Sequence, residues 1–286
     1  MPLAACEPLS RIERARILIA EICRHAWGVA TQRRRRTADV VRAEYNDGSW
    51  RAVLAAERWR GHESLIGFLA DVEPGCRIAK IEGAYVRIDN AEYYRYRGKV
   101  LAAVLAPHAP DDELVELGCG WGMNLFSLCV HGGWRQLFGL DISPNAVRVG
   151  TEVAGFFGLS DVHFNLLDLT DTSHPGFSVL RGRTVFTYYC LEQLKYSTAS
   201  IVDSILRAGP RRVIHIEPTT EVLRWWSLAD TVSYLYIMRQ DYQDNLIRTL
   251  ERFEARGLVK IIQVERLGYS PTVKHDPALV CWEPRV

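Results

Sequence analysis

Residues 113 to 124 read Glu-Leu-Val-Glu-Leu-Gly-Cys-Gly-Trp-Gly-Met-Asn. Leu114, Val115 and Leu117 form a short apolar run with Glu116 inside it, and Gly118, Gly120 and Gly122 follow at alternate positions. Leu125, Phe126, Leu128 and Cys129 then recur at helical spacing. A buried strand, a glycine turn and a helix in that order suit a nucleotide-type ligand. The glycines let backbone approach the ligand, and the helix start offers free N–H groups. A dinucleotide turn would read G-x-G-x-x-G; here the third glycine arrives one residue early and Met123 stands in its place.

Further side chains with chemistry to offer lie at strand tips. A second strand over Gln136–Leu140 ends in Gly139-Leu140-Asp141-Ile142-Ser143-Pro144. An acid there, about twenty residues past the glycines, can accept hydrogen bonds from ribose hydroxyls. Ser143 and Pro144 suit the cap and first position of the next helix, so Asp141 could instead cap that helix. A third strand, Val162–Leu166, leads into Leu167 and Asp168. A fourth, Arg183–Cys190, delivers Tyr188, Tyr189, Cys190, Glu192 and Gln193 to the carboxyl edge of the sheet, where ligands collect; the aromatics could equally be core. A fifth, Arg212–Pro218, puts His215 and Glu217 on one face by two-residue alternation. His215 is a candidate general base, against the alternative of a satisfied structural histidine.

The run Glu-Leu-Gly-Cys-Gly-Trp-Gly resembles motif I of the class I S-adenosylmethionine-dependent methyltransferases. The resemblance implies S-adenosyl-L-methionine as cofactor. Glu116 and the turn Gly118, Cys119, Gly120 and Gly122, with Asn124 just beyond, would hold its methionyl part. Asp141 with Ile142 would hold the ribose, and Asp168 and Leu167 the adenine. Many members use a Tyr or Arg from a helix before motif I on the cofactor carboxylate, and Tyr93, Tyr94, Tyr96 and Arg97 all match that place. Tyr188, Tyr189, Glu192 and His215 are the candidates for the transfer chemistry. The implied fold is α/β: a Rossmann-like, mostly parallel sheet closed by an antiparallel hairpin formed by 258–267 and 278–282, over residues 108 to 286. An aromatic-rich insertion at about 218 to 240 reads as helical packing or as a lid over the acceptor.

Residues 1 to 107 read as a largely helical cap. Ser10 and Glu13 stand in capping-box register before one amphipathic stretch, and apolar residues recur at helical spacing again from Trp50 to Leu69. Ile78, Ile81, Tyr85 and Ile88 lie in a short segment of less regular pattern. Arg33 to Arg36 read as a solvated face.

The chain has 286 residues, 48% hydrophobic and 24% charged, with a formal net charge of +1. That balance disfavours nucleic acid and membrane partners, while the large helical cap and aromatic-rich insertion favour a small-molecule substrate in an enclosed pocket, with specialised metabolism as the expected setting. Seven scattered cysteines, none in a C-x-x-C pair, suit a reducing cytoplasm, and no metal site is expected. A homodimer is compatible with the composition. The expected activity is methyl transfer to a small molecule. The alternatives are an enzyme that cyclises the cofactor's own aminobutyl chain, a nicotinamide dehydrogenase, and a non-catalytic module that retains the fold.

Overall fold

The computed structural model describes residues 6–31, 40, 53, 56–110 and 112–285. A seven-stranded sheet has five parallel strands, β4 (Glu113–Leu117), β5 (Gln136–Asp141), β6 (Val162–Leu166), β7 (Thr184–Tyr188) and β8 (Arg212–Pro218). The C-terminal hairpin β9 (Val259–Arg266) and β10 (Pro277–Pro284) joins it antiparallel, giving the order β6-β5-β4-β7-β8-β10-β9. After β4 the chain moves outward to β5 and β6, then returns to the other side for β7. The strand order therefore reverses between β4 and β7, and a crevice opens at their carboxyl ends.

Strand alternation builds two cores. Leu114, Phe186, Ile214 and Leu279 point to one face, and their neighbours Val115, Val185, Val213 and Val280 to the other. The first face is covered by α3 (Asn90–Leu105), α4 (Met123–His131) and α5 (Pro144–Phe156) through Leu101, Leu105, Phe126 and Val149. The second is covered by α6 (Thr198–Ala208) and α8 (Leu246–Ala255) through Ile201, Ile205, Leu246 and Leu250. Both faces being covered explains why these strands read as apolar runs rather than as alternating polar and apolar residues.

The N-terminal region holds α1 (Arg11–Thr31) and α2 (Leu65–Asp71), with α3 at its end. It also contains a three-stranded antiparallel sheet, β1 (Cys6–Pro8), β3 (Ala84–Asp89) and β2 (Cys76–Ile81), that the helical reading did not resolve. Ile81 pairs with Ala84 across a two-residue turn in which Glu82 and Gly83 have φ of 49° and 81°, the geometry that matches strand twist. The helical spacing from Trp50 to Leu69 does not run through one continuous helix within the described residues. Glu57 turns left-handed at φ 42°, a 3-10 turn spans Arg58–Gly61, and α2 starts afresh with Ser64 accepting from the Gly67 N–H. The arginines at 33 to 36 lie outside the described residues.

The insertion after β8 contains α7 (Leu228–Gln240), which packs along α1 rather than over the crevice. Leu18 meets Val232 there, and the His25 and Tyr236 rings sit 5.1 Å apart. Trp225 and Trp226 are 88% and 67% exposed. Arg266 forks onto both oxygens of buried Asp230, which ties α7 to β9. Among the described residues no helix is long and apolar enough to cross a membrane, and no His, Cys, Asp and Glu grouping could hold a metal ion.

Candidate active site

A cleft of about 280 Å³ opens at the carboxyl ends of β4, β5, β6 and β7. Its floor is the glycine turn. Gly118 (φ 69°) takes a conformation that a side chain would strain, and a Cβ there would lie 2.1 Å from Cys190 Sγ. Gly122 (φ 92°) opens α4, and a Cβ there would strike the Phe164 ring. Asp141, at the tip of β5, ties the turn down: Oδ2 accepts from Gly120 N at 2.8 Å and Oδ1 from Ser143 N at 2.9 Å. The Ser143 side chain accepts from Ala146 N and caps α5 itself. Burial raises the Asp141 pKa above the ordinary aspartate value.

The back wall carries charge without a partner. Glu116, one residue from the end of β4, is 1% exposed; Asn124 Nδ2 donates to its Oε1 at 2.6 Å. Its Oε2 has no hydrogen-bond partner, and neither has Asn124 Oδ1. Burial pushes the Glu116 carboxyl up to about 8. Facing the same cleft is Arg97 of α3, buried with Nε unpartnered, its guanidinium 5.0 Å from the Tyr94 ring centroid and 5.4 Å from that of Tyr188. Unpartnered buried polar atoms gathered at one wall are costly unless a ligand completes them.

The side wall follows β7. Tyr188 and Tyr189 line the cleft, with Cys190, Gln193 and Leu194 beyond. Tyr189 takes φ 53°, unusual for a residue with a side chain. The Tyr188 hydroxyl pairs with that of Tyr269, a residue of the β9–β10 loop that also stacks on Tyr93. Burial raises the phenol pKa of Tyr188 and Tyr189 and the thiol pKa of Cys119 and Cys190, so all four hold their protons at neutral pH.

Of the residues singled out in the sequence, Arg97, Glu116, Gly118, Cys119, Gly120, Asn124, Asp141, Ile142, Leu167, Asp168, Tyr188 and Tyr189 line the cleft together. Asp168 also accepts from Thr170 N and Oγ1 in a local turn. The cleft does not include Tyr93, Tyr94, Tyr96 or Gly122. Tyr93 is buried under Tyr269, Tyr94 bonds Glu73 and Arg77, and Tyr96 packs on Tyr269. Glu192 is buried outside the cleft, 3.7 Å from His275 Nε2. His215 sits inside the sheet: Trp282 Nε1 donates to its Nε2 and Thr187 Oγ1 lies 3.0 Å from its Nδ1. Burial drops its pKa to about 3. Both ring nitrogens are committed, which leaves none for a substrate. Trp121, Met123, Leu169, Thr170 and Leu194 line the cleft without having been singled out. The first two lie inside the motif, the next two directly after Asp168 and the last directly after Gln193, so adjacency to the residues singled out was the available signal.

No protein-family model matches the sequence, and no curated protein matches it. Solved structures do match. Magnesium protoporphyrin IX methyltransferase (ChlM) from Synechocystis, with bound SAH, superposes with a TM-score of 0.53 at 14% identity, covering 87% of this chain and 100% of that one. The [4+2]-cyclase SpnF superposes with a TM-score of 0.51 at 14% identity, covering 78% and 92% of the two chains. At this identity the likeness is one of fold. With the strand order and the closing hairpin it leads to one statement: the chain has the fold of the class I S-adenosylmethionine-dependent methyltransferases.

Proposed function

We propose that the protein transfers the methyl group of S-adenosyl-L-methionine to a small-molecule acceptor. The observation that carries this reading is the back wall, where Arg97 Nε, Glu116 Oε2 and Asn124 Oδ1 are buried, unpartnered and gathered in one cleft. A free amino acid headgroup is their complement. Arg97 would take the carboxylate, and Glu116 and Asn124 the ammonium. Asp141 would accept from the ribose hydroxyls, while Leu167 and Asp168 flank the adenine. The bound cofactor would supply an electrophilic methyl carbon on a sulfonium.

The chain's own part is then to hold an acceptor in line at about 3 to 3.5 Å and to keep water out. Tyr188, Tyr189, Cys190 and Gln193 form the wall available for that acceptor. Its phenols and thiol are neutral, and His215 has no free nitrogen. The site therefore suits an acceptor atom that is already nucleophilic at neutral pH.

Incubating the purified protein with S-adenosylmethionine, with and without a metabolite extract, tests this by mass spectrometry. S-adenosylhomocysteine formed only with extract, beside an acceptor heavier by one methylene, is the expected result. Methylthioadenosine formed from the cofactor alone would replace methyl transfer with cyclisation of the aminobutyl chain. No binding of the cofactor at all would sink both.

A further inference from the structure

Glu217 is the penultimate residue of β8 and is wholly buried, yet it does not line the cleft. Its carboxylate faces three consecutive backbone N–H groups. Oε1 accepts from Cys190 N at 2.9 Å and Leu191 N at 3.1 Å, and Oε2 from Glu192 N at 3.2 Å. Burial raises the Glu217 carboxyl to about 7, against Thr187 on the neighbouring strand β7 and the three N–H groups, which favour its charged form. The directions behind it are fixed by chemistry. The Trp282 indole can only donate, so His215 Nε2 accepts, and the remaining ring proton sits on Nδ1 and points at Thr187 Oγ1. These two hydrogen bonds join three strands, β10, β8 and β7, directly behind the turn that Glu217 holds.

That turn is what places the transfer wall. Tyr189, immediately before it, is held at φ 53°, a conformation that costs about 1 kcal/mol or more for a non-glycine residue. Its N–H bonds the Ile216 carbonyl, one residue before Glu217. Cys190 is seated in the space left by the missing Cβ of Gly118, so the turn also touches the floor of the glycine loop. Three parallel N–H groups with no strand or helix partner of their own would not hold this geometry unaided.

We propose that Glu217 is a positioning residue of this site: by collecting the N–H groups of Cys190, Leu191 and Glu192 it fixes the turn that aims Tyr189, Cys190 and Gln193 into the cleft. The proposal rests on the methyl-transfer reading for what the cleft binds, but not for the geometry of the turn.

Two measurements on the full chain test it. Amide hydrogen exchange is expected to be slow at residues 190 to 192 in the native protein and at least about tenfold faster there in Glu217→Gln, whose amide can no longer accept on both ends. S-adenosylhomocysteine binding, measured by calorimetry well below the melting temperature, is expected to weaken about tenfold in the same variant. A residue that only stabilised the fold would lower the melting temperature and leave that affinity unchanged. Should Glu217→Gln not fold, Glu217→Asp keeps the charge but draws the carboxylate back from the three N–H groups by one methylene, and the same two changes are expected in smaller size. Rapid exchange at all three amides in the native protein would overturn the proposal, as would native affinity in a folded Glu217→Gln. A native protein that ignores S-adenosylhomocysteine but protects these amides would refute the methyl-transfer reading alone; loss of protection in the variant would still support the positioning role.

Discussion

The affinity of the cleft for S-adenosylhomocysteine should rise with pH, because its ammonium would have to pair with Glu116. Burial holds that carboxyl at about 8, so in the ligand-free fold it is protonated at neutral pH. Pairing with an ammonium draws the group back toward the ordinary carboxylate range, so binding expels its proton. Below a pKa of about 8, each pH unit downward then costs about tenfold in affinity. From about pH 7 to about pH 5 the expected loss is on the order of 100-fold, and about 0.9 proton leaves per ligand bound at pH 7. Titration calorimetry in buffers of different ionisation enthalpy reads both quantities. Glu116→Gln keeps the shape, cannot titrate, and should bind weakly with a flat profile. The raised pKa also sets the sign for the empty protein. The folded state retains a proton that the unfolded chain has lost, so this group's contribution to stability declines as pH rises from the ordinary glutamate value to about 8. Ligand-free Glu116→Gln should therefore melt higher than the native protein above about pH 8. An affinity that is flat with pH in the native protein, or a slope that survives in Glu116→Gln, would show that Glu116 does not face the ammonium.

Three further outcomes are expected. Gly118→Ala adds a Cβ 2.1 Å from Cys190 Sγ at φ 69°, which should cost about 2 to 5 kcal/mol; a urea double-mutant cycle with Cys190→Gly should recover the steric part, about 1 to 3 kcal/mol. His215 is held neutral, with a pKa near 3 against an ordinary histidine value, so its contribution is complete above the unfolded pKa and is lost as pH falls toward about 3. The melting temperature of His215→Gln should accordingly fall less steeply in acid than that of the native protein, by a one-proton slope in the difference curve. Arg266→Ala strands Asp230, 3% exposed, and should lower stability by about 3 kcal/mol in chemical denaturation while leaving S-adenosylhomocysteine affinity near native.

Most of the sheet was legible because each strand leaves a local mark. Two of the five parallel strands, Val162–Leu166 and Arg212–Pro218, coincide with their expected bounds, and the other three begin and end within two residues of where apolar runs and turn residues put them. The turn at Glu82 and Gly83 was not legible, since Glu-Gly is a weaker hairpin signal than Asn-Gly or Asp-Gly and the strands beside it are short. The break at Glu57 was hidden for a similar reason: apolar spacing continues through it, and nothing in the local residue types demands a left-handed glutamate.

The sequence by itself determined the cleft-facing edge of the sheet. Glu116, the glycine turn, Asp141 and Asp168 are fixed by their distance along the chain from strand ends, which is a short-range property. Tertiary structure decided everything that depends on meeting a remote partner. Among Tyr93, Tyr94, Tyr96 and Arg97 only Arg97 reaches the cleft, because α3 rises about 6 Å over the four residues from Tyr93 and sets the guanidinium, not a phenol, against the strand tips. His215 and Glu217 share a strand face as alternation required, but their roles came from Trp282 on β10 and the amides behind β7, through hydrogen bonds that exist only once three strands are in register. The aromatic insertion could have covered the cleft; its α7 lies along α1 because Val232 found Leu18 there. Periodicity reports which face of an element is buried. It does not report what that face is buried against, and at this site that second fact separates a base from a strut.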